Sequence, residues 1–191
     1  LAGHLDTLEK RPNLAGLILI SAKPSGFIAG ADVREFLAAL QTGGGDVAAM
    51  SRQGHRLLQR LSSGPFVSVA AIHGVCLGGG AELSAWCDLR VMTTDERTEY
   101  GCPEVKLGLI PGWGGTQRLP RCVGLRQALR MILEGSTLNA SRAAAAGLVD
   151  LTAPPDDFET AVSRFVDDLL AGKDVRRPGH GLLGALLDGT G

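Results

Sequence analysis

Two acidic residues, each placed beside glycines, are the first candidates for chemistry in this 191-residue sequence. Glu82 comes directly after "LGGGA", and Glu104 follows "YGCP". Two carboxyl groups that face one site can carry out general acid–base catalysis on a bound water molecule. Taken alone, Glu82 could simply be an acid favoured by the dipole of a helix N-terminus, and Glu104 a solvated loop residue.

Two glycine loops could supply main-chain hydrogen-bond donors beside these acids. The loop at 74–80 leads into a helix that would begin near Gly79, and the loop at 26–31 leads through Ala31 to Asp32, a plausible N-cap. Glycine allows a close backbone approach, and the first N–H groups of a helix have no partner within it. Each loop alone could be a tight turn, but together the N–H groups of Ala31 and Gly79 could form an oxyanion hole.

Other sites that the sequence could encode find little support. The glycine triplet does not open a dinucleotide fingerprint, because Leu83 occupies the third glycine position, and neither a Walker motif nor a G-x-S-x-G motif is present. The histidines at 4, 55, 73 and 180 form no metal pattern, so we expect no metal site. The cysteines at 76, 87, 102 and 122 form no CxxC pair, so we expect single, buried and reduced thiols.

Charge and hydropathy narrow the possible partners. A net charge of −1 provides no basic surface for nucleic acid. The sequence has no apolar run of about 18 residues, which argues against stable membrane insertion, and it has no signal-peptide pattern. We therefore expect a protein of the cytoplasm.

Alternating strands and helices are expected to position the two acids. Apolar runs predict strands at 14–21, buried on both faces, at 66–72, at 89–94 and at 148–151. Helices are predicted for the segment before Pro12 and over 32–40, 47–61, 79–86, 125–135, 141–147 and 155–172. This order favours an α/β fold with mainly parallel strands, in which ligands bind at the carboxyl ends of the strands.

In combination, these segments resemble the crotonase (enoyl-CoA hydratase/isomerase) superfamily. The resemblance is carried by "SGFIAGADVREF", "AAIHGVCLGGGAELSAWCDLRV", "YGCPEVKLGLIPGWGGTQRLPRCVG" and "AAAAGLVDL". It implies a crotonase-like (ClpP/crotonase) fold, a superhelical spiral of ββα units, over residues 1–155. Residues 156–191 would then be a C-terminal helix with a linker or truncated tail, and we expect the spiral to be truncated at its N-terminus.

The resemblance also implies roles for the residues singled out above. The N–H groups of Ala31 and Gly79 would bind the thioester oxygen of a 2-enoyl-CoA. Glu82 would deprotonate the attacking water, and Glu104 would protonate C2. Further substrate contacts are expected from Ala29, Gly30, Asp32, Gly78, Pro111, Gly112 and Trp113. The coenzyme A thioester is the substrate, so the resemblance implies neither a metal nor a redox cofactor.

The activity implied is an enoyl-CoA hydratase of fatty-acid β-oxidation, which adds water syn to a 2-trans-enoyl-CoA. Within the superfamily, "ISAKPSGFIAGADVREF" and "DDLLAGKDVRR" are most similar to the hydratase domain of multifunctional α subunits of fatty-acid oxidation complexes. The expected partners are acyl-CoA and either further copies of the chain or a thiolase subunit. Two alternatives stay open: Δ3-Δ2-enoyl-CoA isomerisation, and a non-catalytic scaffold that binds CoA thioesters.

Overall fold

The computed structural model describes residues 1–30 and 46–173. Its helices are α1 (Ala2–Leu8), α2 (Val47–Ser62), α3 (Gly79–Trp86), α4 (Gly115–Leu133), α5 (Ala140–Ala145) and α6 (Phe158–Leu170). Its strands are β1 (Gly16–Ile20), β2 (Val67–Ile72), β3 (Val75–Leu77), β4 (Leu89–Thr93), β5 (Glu99–Gly101), β6 (Thr137–Leu138) and β7 (Leu151–Ala153). Short 3₁₀ turns cover Pro103–Leu107 and Pro155–Asp157. The helix predicted over 32–40 lies outside the described residues.

Two sheets divide the strands between them. The larger sheet has the order β1-β2-β4-β7, and each of its neighbouring pairs is parallel. The smaller sheet has the order β3-β5-β6, in which β3 and β5 are parallel and β6 is antiparallel. The chain passes from β2 to β3 and from β4 to β5 before it enters the next helical segment. This repeated ββα unit confirms the predicted crotonase-like fold.

Helix α6 shows how sequence pattern and packing agree. The predicted apolar face places Phe158, Val162, Phe165 and Val166 against Val69 and Val91 of the large sheet and their neighbours. Burial of side chains of this size contributes about 1.5–3 kcal/mol each. The helix therefore packs directly on the sheet, while the domain boundary predicted at residue 155 stays a prediction.

Strand β1 corrects one expectation. The run 14–21 was expected to be buried on both faces, but Ile18 is 36% and Ile20 47% exposed, whereas Leu17 and Leu19 pack against the main core. Strand β1 lies at one edge of the sheet. On the face that holds Ile18, the apolar side chains of α6 pack over β2, β4 and β7, and they reach β1 at Gly16, where a Cβ would lie 3.5 Å from Val166. A continuous apolar run therefore does not prove two-sided burial.

Helix α4 corrects a second expectation. A helix was predicted to begin at residue 125, but α4 begins ten residues earlier at Gly115 and passes through Pro120. Gly124, with φ 76° and ψ 159°, interrupts it, so two helical segments meet at a kink. The glycine-rich segment "PGWGGT" at 111–116 indicated a loop before the helix, yet α4 already includes Gly115, and Leu119 in its first segment is fully buried in the main core. The helix ends at Leu133 with Glu134 as C-cap, so Gly135, with a left-handed φ of 63°, is the C′ glycine that we expect to close it.

The short strands account for the remaining differences. Strands β3, β5 and β6 have two or three residues each and were not predicted, because such segments are too short to show an apolar period. Strand β7 begins at Leu151 rather than at residue 148. Leu148 and Val149 are buried as expected of a strand, but they lie in the turn that follows α5.

Candidate active site

The two glycine loops lie side by side, each following a strand of the large sheet. The N–H of Ile28 donates to the carbonyl of Val75 at 3.1 Å, and the N–H of Leu77 donates to the carbonyl of Ile28 at 2.9 Å. A Cβ at Gly80 would lie only 2.3 Å from the carbonyl oxygen of Ile28. Glycine at position 80 is therefore what lets the start of α3 pack against the first loop.

The N-terminus of α3 presents a free main-chain donor. Gly78 is the N-cap, with φ 55° and ψ −126°, and its N–H donates to the carbonyl of Gly101 at 2.9 Å. The next N–H, that of Gly79, has no acceptor among the described residues. Gly30 approaches it, since a Cβ there would lie 4.0 Å from the Gly79 nitrogen. Ala31 and Asp32 lie outside the described residues, so their predicted roles stay predictions.

Glu82 lies in the first turn of α3 and is buried, with 3% of its surface exposed. Its Oε1 accepts hydrogen bonds from the N–H groups of Trp113, at 2.7 Å, and Gly115, at 2.8 Å. Burial raises the pKa of Glu82 to about 7, the two main-chain donors oppose that rise, and the charge of Glu104 adds to it. A carboxyl group in this position can exchange a proton near neutral pH.

Glu104 lies at the start of the 3₁₀ turn that Pro103 opens. Its Oε2 is buried and has no hydrogen-bond partner in the described part of the chain. Burial raises the pKa of Glu104. Its Oε1 lies close to Gly78, where a Cβ would be only 3.3 Å away, so Glu104 reaches across to the N-terminus of α3.

Both carboxyl groups line one cavity of about 270 Å³, whose walls are mainly apolar. Five of the predicted substrate contacts also line it: Ala29, Gly30, Gly78, Gly112 and Trp113. The oxyanion candidate Gly79 lines it as well. Pro111 does not; it is buried behind the wall, and a Cβ at Gly115 would lie 2.8 Å from its Cβ.

Several lining residues were missed by sequence reasoning: Met50, Ser51, Leu77, Pro103, Leu107, Leu109 and Ile110. Met50 and Ser51 come from α2, which no local motif connects to the two acids. Leu107 and Ile110 are 57% and 68% exposed, and their apolar side chains close to Glu104 were a usable signal.

A larger cavity, about 560 Å³, lies at the carboxyl edge of the large sheet, where a ligand was expected. Its walls include Lys23, His73 and Arg97, but neither candidate acid. The two acids lie elsewhere because β3 and β5 carry the chain onward into the small sheet before each acid is reached. The candidate chemistry therefore lies in the smaller cavity.

Three further observations bear on the sequence predictions. Within the described residues, no group of three or more His, Cys, Asp or Glu side chains could hold a metal ion. Cys76, Cys87 and Cys102 are buried free thiols as predicted, whereas Cys122 is only partly buried. In the same part of the chain, no helix is long and apolar enough to cross a membrane.

Sequence comparison finds relatives over most of the chain. It is 50% identical over 160 residues to the fatty acid oxidation complex subunit alpha of Vibrio cholerae, covering 84% of this chain and 22% of that protein. It is 44% identical to the subunit of the same name from Shewanella, covering 98% of this chain and 26% of that protein. The chain thus spans about a quarter of the length of the curated relatives it matches.

Solved structures give the same picture of the fold. The enoyl-CoA hydratase of Geobacillus kaustophilus superposes with a TM-score of 0.79 at 31% identity, covering 88% of this chain and 62% of that one. An enoyl-CoA hydratase/carnitine racemase from Magnetospirillum magneticum gives 0.81 at 28% identity, with coverage of 98% and 69%. The family model described as enoyl-CoA hydratase/isomerase matches residues 1–177. The match of the family model to most of the chain and the identity to these relatives show that the chain belongs to the enoyl-CoA hydratase/isomerase family, a branch of the crotonase superfamily of enzymes.

Proposed function

We propose that this chain catalyses the syn addition of water to a 2-trans-enoyl-CoA, giving a 3-hydroxyacyl-CoA. The observation that carries the proposal is the pairing of Glu82 and Glu104 in one cavity, next to the N–H of Gly79, which has no acceptor among residues 1–30 and 46–173. Hydration needs a base for water, an acid for carbon and a site for developing negative charge. These three groups supply all of them.

Glu82 is the proposed base. Both main-chain donors bind its Oε1, which leaves Oε2 to accept a hydrogen bond from a water molecule in the cavity. A pKa of about 7 suits a group that must take a proton and later return it at neutral pH. The activated water adds to C3 of the enoyl group.

Glu104 is the proposed acid at C2. Its buried oxygen has no partner among the described residues, and burial favours its protonated form. As water adds, charge accumulates on the thioester oxygen, where the N–H groups of Gly79 and Ala31 would stabilise it. Removing one donor of this kind typically costs about 2.7–4 kcal/mol of transition-state stabilisation.

The proposal also includes the pathway, the location and the partners of the reaction. We place it in fatty-acid β-oxidation in the cytoplasm, because the relatives are named as subunits of a fatty acid oxidation complex. The proposed partners are acyl-CoA and either further copies of the chain or a thiolase subunit, with no nucleic acid. The CoA thioester is the substrate, and the proposed chemistry uses protein groups without a metal or redox cofactor.

Hydration of crotonyl-CoA by the purified chain tests the proposal. The absorbance of the conjugated enoyl thioester should fall as 3-hydroxybutyryl-CoA forms, and Glu82→Gln and Glu104→Gln should each slow that fall. If the folded chain leaves crotonyl-CoA unchanged, hydration is refuted. Calorimetry with the same thioester then tests the alternative of a non-catalytic scaffold.

Isomerisation of a 3-enoyl-CoA is a second candidate. It moves a proton between carbons without using water, and Glu104 alone, with its unpartnered oxygen in the cavity, could carry that proton. A 3-enoyl-CoA offered to the chain would then gain, rather than lose, the absorbance of a conjugated enoyl thioester. The ratio of the two rates on matched substrates separates the activities.

A further inference from the structure

Trp86 and Glu82 lie one turn apart on α3, so both side chains leave the same face of that helix. Both bind one residue of the loop that opposes them. The N–H of Trp113 donates to Glu82 at 2.7 Å, and the carbonyl of Trp113 accepts from the indole Nε1 of Trp86, also at 2.7 Å. Helix α3 thus holds the peptide groups on both sides of Trp113.

The indole of Trp86 is itself fixed in place. The guanidinium of Arg118 lies over its ring at 3.7 Å from the centroid, and the His55 ring meets it edge-on, with centroids 6.2 Å apart. A Cβ at Gly114 would lie 2.8 Å from the indole nitrogen, so the ring packs directly on the glycine backbone. Gly114 has a φ of 108°, which also favours glycine at this position.

Trp86 does not line the cavity that holds the two acids, whereas Trp113 does. Its contact with the site runs through the 112–115 loop, whose N–H groups at Trp113 and Gly115 bind the Glu82 carboxylate. Ser51 provides a further anchor for the loop by donating to the carbonyl of Gly112.

We infer that Trp86 is a positioning residue for Glu82: its indole N–H holds the 113–114 peptide group, which lies between the two peptide groups whose N–H groups, at Trp113 and Gly115, bind the carboxylate. Without the indole donor, the Trp113 carbonyl loses its partner, and the 113–114 peptide group is free to turn. The peptide groups on either side would then shift, and their N–H groups would leave Oε1 of Glu82. The catalytic part of this inference depends on the proposed function, in which Glu82 is the base.

Trp86→Phe tests the inference, because phenylalanine keeps an aromatic ring against Arg118 and Gly114 but has no donor. A neutral hydrogen bond is worth about 0.5–1.5 kcal/mol, so we expect kcat for crotonyl-CoA to fall up to about tenfold. KM should stay within about twofold, since Trp86 is remote from the cavity. The acid limb of the kcat–pH profile should move to higher pH, because Glu82 loses a donor that favours its charged form.

His55→Ala is the matched control, since it removes a ring contact with Trp86 and leaves the indole donor in place. We expect its pH profile to coincide with that of the unmodified chain. If Trp86→Phe keeps the original acid limb, or if His55→Ala shifts that limb as far as Trp86→Phe does, the indole hydrogen bond has no positioning role. Should Trp86→Phe fail to fold, Trp86→3-benzothienylalanine replaces the N–H with sulfur in a ring of nearly the same shape.

A readout without substrate separates this inference from the proposed function. The Glu82 carboxyl carbon can be followed by ¹³C NMR in the full chain, with Glu82→Gln identifying its signal. The midpoint of its titration should lie at higher pH when the indole donor is removed, and an unchanged midpoint would overturn the inference. A shifted midpoint in a chain that does not hydrate crotonyl-CoA would refute the proposed function and leave the positioning role standing.

Discussion

Glu82 sits in the first turn of a regular helix and receives two main-chain donors, whereas Glu104 sits in a 3₁₀ turn and has a buried oxygen without a partner in the described residues. Burial raises the pKa of both, so the direction of the pKa does not separate them. Hydrogen bonding does: two N–H groups of the 112–115 loop support the charged form of Glu82, whereas the hydrogen bond that supports the charged form of Glu104 comes from its own backbone. Two acids in one cavity can thus be suited to different halves of a proton transfer.

The largest effect is expected from removing either proton-transfer group. Glu104→Gln should lower crotonyl-CoA hydration about 10²- to 10⁴-fold, the usual contribution of a general acid. Glu82→Gln should lower hydration by a similar factor but isomerisation of a 3-enoyl-CoA by less, because isomerisation uses no water. Parallel assays of both reactions measure this. If both variants lost hydration and isomerisation to the same extent, Glu82 and Glu104 would not have the separate roles of base and acid that are proposed for them.

Stability should depend on pH through Glu82. Its pKa is about 7 in the folded chain and 4.5 as the ordinary value, so between these limits the folded state holds the proton more tightly than the unfolded state. The free energy of unfolding should therefore fall as pH rises from 4.5 to 7, by on the order of 3 kcal/mol from this group. Urea unfolding across that window measures the fall.

Glu82→Gln removes this titration and should flatten the dependence. Glu104, whose pKa is also raised, would account for a remainder of the same sign. A Glu82→Gln chain whose unfolding free energy still falls as steeply as that of the unmodified chain would show that Glu82 titrates normally. The proposed difference between Glu82 and Glu104 could then not be explained by the pKa of Glu82.

A pair of glycine substitutions sharpens the contrast further, with the difference that Gly78 has a φ of 55°, so alanine there also strains the backbone. A Cβ at Gly115 would lie 3.1 Å from Oε1 of Glu82, and a Cβ at Gly78 would lie 3.3 Å from Oε1 of Glu104. Displacing a catalytic group by about 1 Å can cost about 10²-fold in rate, so we expect each alanine to lower hydration by up to that factor. Only Gly115→Ala should move the pH limb of Glu82. Steady-state rates from pH 5 to 9 test this, and a limb moved equally by Gly78→Ala would contradict it.

The features around Glu82 that could be predicted from the sequence are the local ones. Glu82 and its glycines form a local pattern at a helix start, and the glycine loop, the helix and the acid all lie where that pattern indicated. The strands at 67–72 and 89–93 were also recognisable as apolar runs. Local geometry at a helix N-terminus follows from a few neighbouring residues, so it can be predicted from them.

The surroundings of the acids could not be predicted in the same way. The N–H groups that bind Glu82 belong to Trp113 and Gly115, which follow it by 31 and 33 positions in the sequence. The indole N–H of Trp86 likewise donates to a carbonyl 27 positions away. Strand β5 has only three residues and is held by its neighbours in the small sheet. Contacts set by tertiary packing leave no periodic signal, which is why Trp86, Met50 and Ser51 were missed.

The smallest effect is expected at Leu107, which shares the 3₁₀ turn with Glu104 and lines the cavity. Its side chain is 57% exposed, so Leu107→Gln has little buried area to lose and should change the unfolding free energy by less than about 0.5 kcal/mol. Hydration should change only a few-fold, mainly in KM, because the substitution alters the apolar rim. Thermal unfolding and crotonyl-CoA kinetics on the same preparation measure both. This variant is also the control for Glu104→Gln: if it lowered kcat as much, the loss at Glu104 would reflect disruption of the turn rather than removal of an acid.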